Sequence, residues 1–262
     1  MTVPLEELAG YLDTLLRVRE VPDDPAALNG LQVECRGPIG RIVASVDATQ
    51  RTIERAVEKG QDAEGSTLML VHHGLFWDGN LPVTGRRYSR IKALLDADVA
   101  LYSAHIPLDL HPEFGNNILL ARRLELEVQG AFGRYKGIEI GVRGRFKTAT
   151  PRLEVRRLLA AATGIQPGAV TIIPGGPELC GRIGIITGAA SRHVLEASEA
   201  GLDSFITGEG PHHSYFDAME SGVNLFFGGH YATETLGVQA LANHLADHFG
   251  IPAQFHDHPT GL

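Results

Sequence analysis

The sequence predicts an α/β fold in which parallel strand–helix–strand units bury most of the apolar side chains. Three observations carry that expectation. Short apolar runs alternate with helically spaced segments, the strand–helix–strand pattern occurs twice, and no low-complexity linker separates clean domains. The chain has 262 residues, enough to bury a sizeable core. The expected organisation is two interlocked α/β lobes with an internal βαβ repeat. Residues 1–125 plus 228–262 form one lobe and residues 126–227 the other.

The elements follow in order. Leu5, Leu8, Leu12, Leu15 and Leu16 recur as one apolar face and predict a first helix. A loop with Pro22 and Pro25 follows, and a strand region opens at Asn29-Gly30-Leu31-Gln32-Val33-Glu34. Arg41 to Val46 reads as a buried strand. Helical spacing runs from Thr49 to Lys59, with Gly60 as the expected C-cap. Thr67 to Val71 is the next buried strand, and it runs into His72-His73-Gly74. Val99 to Ser103 is another, and Gly115-Asn116-Asn117 opens a helix. Tyr135 to Phe146 alternates loosely among glycines, as exposed strands do. Pro151 opens a helix that stops near Gly164, Pro174-Gly175-Gly176-Pro177 is a loop, and Gly228-Gly229 is a turn entering a helix at His230.

Residues 41–62 align without a gap to residues 182–203. Eight pairs are identical: Arg41/Arg182, Ile42/Ile183, Ala48/Ala189, Arg51/Arg192, Ala56/Ala197, Glu58/Glu199, Gly60/Gly201 and Asp62/Asp203. Each copy runs on into an apolar strand and then a polar cluster, His72-His73-Gly74 in the first and Gly208-Glu209-Gly210-Pro211-His212-His213 in the second. Shared turn residues explain part of the match. Duplication explains all of it, and places Glu209 at a strand end comparable to that of His72 and His73.

Composition excludes several classes of function. The formal net charge is −8, so a nucleic-acid face would have to be local. The short basic clusters Arg86-Arg87 and Arg156-Arg157 read as solvated faces. Two cysteines, Cys35 and Cys180, without a CxxC spacing do not make an all-cysteine metal knuckle. The N-terminal stretch carries acidic residues and lacks the basic and long apolar regions of an export signal, and no apolar stretch approaches the ~20 residues of a membrane span. A cytoplasmic protein with reduced thiols is expected.

The chemistry-bearing residues fall into three groups. His72 and His73 end a strand of a parallel sheet, the edge where ligands bind. Adjacent strand residues face opposite ways, so both reach one site only where the strand gives way to a turn, which Gly74 permits. Neutral imidazole suits Zn, Fe, Mn or Ni, although a His pair alone is more often half-buried structure. His230 and Glu234, four apart, share one helical face. Taken alone, Glu234 is equally an acidic residue favoured near a helix N-terminus. Asp109, in His105-Ile106-Pro107-Leu108-Asp109, offers a carboxylate or a simple cap. No HExxH or phosphate-loop motif competes.

The segments NGLQVE, VHHGLFW, SAHIPLDLHPEFGNN and GGHYATET together resemble the GTP cyclohydrolase 1 type 2 homolog family, also called Nif-three-like proteins. The resemblance covers nearly the whole chain, with the motifs in the family's order. It implies a Nif-three-like fold and two divalent metal ions per chain. Their implied ligands are His72, His73, Asp109, His230 and Glu234. It also implies a homohexameric toroid with the metal sites facing an inner cavity. The segment TGEGPHHSYFDA departs from the family's shorter members and marks the substrate side as particular to this chain.

Such a site suits a hydrolase of a nucleotide-like small molecule. Two divalent ions about 3.5–4 Å apart activate a water and polarise a substrate atom. In the cyclohydrolase reaction, attack falls on C8 of guanine and formate is released, with His105 or Glu209 placed to deliver a proton to the departing nitrogen. The rival reading is a non-catalytic metal-binding or metal-handling assembly protein. Five ligands for two ions leave open coordination positions, which favours catalysis. A third reading, a DNA-associated ring, is opposed by the acidic charge. No membrane partner is expected.

Overall fold

The computed structural model describes residues 1–60 and 64–262. In chain order the elements begin α1 (Leu5–Leu15), β1 (Gly30–Val33), β2 (Ile39–Asp47), α2 (Gln50–Gly60), β3 (Ser66–His73), α3 (Gly85–Asp96), β4 (Val99–Ser103), α4 (Ile106–Asp109) and α5 (Asn116–Arg123). There follow β5 (Glu127–Tyr135), β6 (Ile138–Pro151), α6 (Arg152–Thr163), β7 (Thr171–Pro174), β8 (Leu179–Ile185), α7 (Val194–Glu199), β9 (Ser204–Thr207), α8 (Ser214–Ser221), β10 (Asn224–Phe227), α9 (His230–Phe249) and β11 (Ala253–Phe255). The fold is mixed α/β with two sheets, and two compact units divide the chain.

The first unit comprises residues 1–108 and 237–258. Its sheet has the order β1-β4-β3-β2-β11. The β2, β3, β4 and β11 ladders are parallel and only β1 runs antiparallel. β2-α2-β3 is the βαβ crossover that the apolar runs predict. Its strands are buried on both faces, which is why they read as continuous apolar stretches rather than alternating ones. Val43, Met69, Val71, Leu101, Ile53 and Leu94 meet in one core on one side of the sheet. The strand expected at 67–71 is longer than its apolar run: β3 continues through His72 and His73, and its last rung pairs Asp47 with His73. Gly60 is the last described helical residue of α2 and is not left-handed, so it is not the left-handed cap that the sequence suggests; residues 61–63 lie outside the described residues.

The second unit comprises residues 109–236 and 259–262. Its sheet has the order β5-β6-β8-β9-β10-β7. The glycine-rich alternation of 135–146 is the turn and most of β6 in the antiparallel hairpin of β5 with β6, while β8, β9 and β10 run parallel. The segment opened by Pro151 is α6, and Gly164 closes it in the left-handed conformation. Leu159, Ile183, Ile185, Ile206, Phe226 and Leu236 form the centre of this unit's core. Among the described residues no helix is long and apolar enough to cross a membrane.

The second unit repeats the strand pairing of the first. β2 pairs with β3 and β8 with β9, both parallel. Ile42 stands opposite Leu68, and its aligned partner Ile183 stands opposite Ser204. Carrying both registers forward five residues sets Glu209 in the second sheet where His73 stands in the first. The backbone bonds at these ends differ: Ala48 N–H donates to the carbonyl of His73, whereas Gly208 N–H and Glu209 N–H both donate to that of Gly188. The aligned pair Asp62/Asp203 cannot be compared, because Asp62 lies outside the described residues.

One sequence reading is corrected. Arg86-Arg87 is not a uniformly solvated basic face. Arg87 is 7% exposed, donates to the Asp78 carboxylate and the carbonyls of Gly79 and Leu81, and lies over the Phe76 ring. A buried guanidinium persists only with such partners, and the carboxylate it meets is nine residues away across a turn.

Candidate metal centre

In the first unit the carboxyl ends of two parallel strands gather three histidines. His72 and His73 end β3, and His105 follows β4 by two residues. One ligand nitrogen from each lies within 4.8 Å of the others, the grouping that one divalent ion requires. Each ring is also held by its Nδ1. His72 Nδ1 is 2.8 Å from the Ala104 carbonyl, His73 Nδ1 is 2.8 Å from Asp47 Oδ1, and His105 Nδ1 is 2.9 Å from Asp23 Oδ1. A carbonyl or carboxylate oxygen only accepts, so each Nδ1 carries the proton and Nε2 carries the lone pair. An oxygen acceptor behind a ligating imidazole is the arrangement that fixes its tautomer and raises its basicity.

Asp23 shows the strength of that anchoring. Burial alone would raise its pKa, but the hydrogen bond and charge of His105, with Asn29 and the Asp24 backbone, bring it below the usual carboxylate value. It stays ionised at neutral pH and accepts from His105 Nδ1 and from the Ile106 N–H. His105 N–H in turn donates to Asn29 Oδ1. The NGLQVE segment also supplies Gln32, whose Oε1 accepts from Leu75 N–H while its Nε2 donates to Ala27 and Leu28. Gln32 fills the space that a Cβ on Gly74 would need. That close approach is the reason for glycine after the His pair, since Gly74 is not left-handed.

In the second unit, His230 and Glu234 occupy the first turns of α9, with His230 Nε2 3.2 Å from Glu234 Oε2. His230 Nδ1 is 2.8 Å from Glu209 Oε1, so this imidazole too is held from behind by a carboxylate. Glu234 is buried, at 2% exposure. Burial disfavours the charged imidazolium, but the hydrogen bonds and charges of Glu234 and Glu209 outweigh it and push His230 up to about 10. Two carboxylates around one imidazole favour a cation here, and a divalent ion binding at His230 would displace its proton.

Two glycines cradle the pair. A Cβ on Gly208 would stand 2.6 Å from His230 Cα, and one on Gly188 would overlap Glu234 Oε1. Asp109 also belongs to this unit, at the end of α4. Its Oδ1 accepts from Asn116 Nδ2 at 2.8 Å and lies 3.4 Å from Thr187 Oγ1. Two neutral donors therefore orient its carboxylate.

Of the residues marked from sequence, His105 joins His72 and His73, and Glu209 joins His230. His212 and His213 are exposed, with His212 edge-on to Phe216. The holders Asp23, Asp47 and Gly188 lie outside the quoted motifs, whereas Asn116 falls within SAHIPLDLHPEFGNN. Of the first three, Asp47 and Gly188 have a signal, as counterparts in the internal alignment.

Fold and residues together define an α/β protein with histidine and carboxylate metal-ligand types at the carboxyl ends of parallel strands. Within that class the chain belongs to the Duf34/NIF3 (NGG1p interacting factor 3) family, whose model matches residues 3–259. It is 44% identical to a protein of Deinococcus radiodurans named GTP cyclohydrolase 1 type 2 homolog, over 98% of this chain and 94% of that one. A protein of the same name from Halobacterium salinarum is also 44% identical, over 94% and 95% of the two chains. Among solved structures, TTHA1606 from Thermus thermophilus is similar with a TM-score of 0.84 and 38% identity, over 99% of this chain and 100% of that one. The protein ybgI, described as of unknown function, gives 0.89 and 33% over the full length of both.

Proposed function

We propose that His72, His73, Asp109, His230 and Glu234 hold two divalent metal ions, and that the protein is a hydrolase of a nucleotide-like substrate. The observation that carries this reading is the shared support of the histidines: His72, His73 and His230 each have Nδ1 against an oxygen acceptor. The name borne by the relatives in Deinococcus and Halobacterium, GTP cyclohydrolase 1 type 2 homolog, is in keeping with this reading; cyclohydrolase chemistry would open the guanine imidazole ring. The metal pair would supply an activated water and a Lewis acid. The chain's own residues do the rest. Asp47 and Glu209 fix the orientation of His73 and His230. His105, held by Asp23, is the proton carrier to the departing nitrogen, and Asp109 is oriented by its Asn116 and Thr187 donors. The resemblance further implies a homohexamer with these sites facing its inner cavity.

Elemental analysis of purified protein should find up to two divalent ions per chain, with at least one missing from His73→Ala and from Glu234→Ala. Wild-type metal in both variants would reject the ligand set. Glu209→Gln keeps the shape and removes the charge behind His230. It should retain nearly full metal while slowing metal-dependent formate release from GTP by about 10–100-fold. Full metal with no turnover of any nucleotide would turn the assignment to a metal-binding assembly protein.

A further inference from the structure

Beside His73, wholly within the first unit, lies a cavity of about 190 Å³ lined by Asp47, Thr49, Trp77, Asp78, Arg86 and Arg90 among others. It is smaller than the ~300–1,000 Å³ of sites that enclose a whole drug-sized ligand, so it takes one group of a ligand. Its charges are unevenly matched. Asp47 is engaged by His73 at 2.8 Å. Asp78 is engaged by the buried Arg87, with Arg86 at 3.5 Å. Arg86 and Arg90, four apart on α3, share a helical face.

Among the described residues Arg90 has no acid of its own. Its Nε is buried and makes no hydrogen bond with any of them. Burial and then the charge of Arg86 hold its pKa below the usual guanidinium value, with the charge of Asp78 opposing them. An arginine retained in a half-buried position, beside a second arginine and with an unused donor, lacks an anion. The indole of Trp77 stands edge-on to the rings of both His73 and His105, at 5.8 and 4.8 Å between centroids, so the cavity adjoins the histidine cluster.

We propose that Arg90 and Arg86 form a subsite for an oxyanion group of the ligand, phosphoryl or carboxylate, bound beside His73 with Trp77 as its wall. Paired guanidinium forks match such oxygens bidentately. The role in substrate positioning rests on the hydrolase reading above; the binding of the anion does not.

Trp77 is the chain's single tryptophan, so its fluorescence reads this cavity and the histidines that adjoin it. The full-length protein is titrated with inorganic phosphate and separately with acetate, both metal-loaded and after chelator treatment. Phosphate should change Trp77 emission saturably in both forms. Arg90→Gln should raise the half-saturating concentration at least tenfold, Arg90→Lys should fall between it and wild type, and the surface control Arg55→Gln should stay within twofold. Circular dichroism checks that each variant folds. Phosphate binding tighter than acetate by tenfold or more assigns a phosphoryl group; comparable binding assigns a carboxylate. A response that disappears on metal removal, or wild-type titration of both Arg90→Gln and Arg86→Gln, overturns the subsite. A response that persists in Glu234→Ala keeps the subsite whatever that variant's metal content, and so separates it from the metal assignment.

Discussion

Gly188→Ala should cost far more than a glycine-to-alanine change at another left-handed position, and it should cost metal as well as stability. Gly188 has φ +70°, a conformation that an L side chain occupies at about 1–2 kcal/mol. Gly164 is also left-handed, at +75°, with nothing within 4 Å of where a Cβ would stand, so Gly164→Ala should show that strain and nothing more. At Gly188 the new methyl would collide with Glu234 Oε1. Overpacking of this kind adds about 1–3 kcal/mol, for a total of about 2–5 kcal/mol. Glu234 is buried and stands near the start of a helix whose first residue, His230, is boxed by Gly208, so it has little room to yield. Its carboxylate must leave its position against His230 Nε2. Denaturant unfolding of the two variants should separate them by at least about 1 kcal/mol, and only Gly188→Ala should lose a metal ion. Equal stabilities with full metal in both would show that Glu234 moves aside freely and that Gly188 is merely a turn.

The same contrast marks what the sequence can reveal. The β2-α2-β3 unit is legible because its strands are apolar on both faces and α2 keeps one buried stripe, which are local properties. The candidate ligands are legible for a related reason. His72, His73, Asp109, His230 and Glu234 stand where a strand or a short helical turn ends or a helix begins, and side-chain type there is not dictated by core packing. Their supports are not local. Asp23 is 82 residues from His105, Asp47 is 26 from His73, and Glu209 is 21 from His230. No spacing rule spans such distances, and a carboxylate in a loop looks alike whether it meets solvent or an imidazole. Arg87 escapes a sequence reading for the same reason. A basic pair at the start of a helix looks solvated until the turn that carries Asp78 folds back onto it.

Internal duplication is the one long-range signal that the sequence carries. It places Glu209 at a strand end matching that of the first copy, and the ladder registers set it opposite the counterpart of Asp47. The two copies have exchanged chemistry at these positions. In the first unit the acid stands on β2 and the imidazole on β3, as Asp47 and His73. In the second, β8 is followed by Gly188 and β9 by Glu209, and the imidazole comes from α9. An acid behind an imidazole survives in both, which is what ligand orientation requires. The glycine at 188 makes room for Glu234 where Asp47 stands in the first copy.

Asn117 should prove the most demanding polar position of the second unit. The sequence shows it only as part of a helix start, yet it is 1% exposed. Its Oδ1 accepts from Thr187 N–H at 2.9 Å and its Nδ2 donates to the Ile140 carbonyl at 2.9 Å, tying α5 to β6 and to the segment after β8. Asn117→Leu preserves most of the volume and strands both backbone groups. Each buried group left without its partner costs about 1–3 kcal/mol, so a loss of about 2–6 kcal/mol is expected, unchanged between about pH 5 and 8 because no titrating group is introduced. Asn117→Asp separates the two bonds. The carboxylate still accepts from Thr187, but it turns an attractive contact with the Ile140 carbonyl into a repulsive one, at a buried position near Asp109. The dipole of α5 returns only about 0.3–1 kcal/mol. The introduced carboxyl should therefore have a folded pKa above its unfolded value. Its contribution is then fully present below the unfolded pKa, where the protonated acid can donate to Ile140, and is lost as pH rises through the folded pKa. Unfolding measured across pH should bring Asn117→Asp toward wild type in acid and away from it at neutral pH, while Asn117→Leu keeps a constant deficit. A parallel offset for both variants at every pH would mean that the Ile140 bond contributes nothing and that the Thr187 contact alone holds the helix.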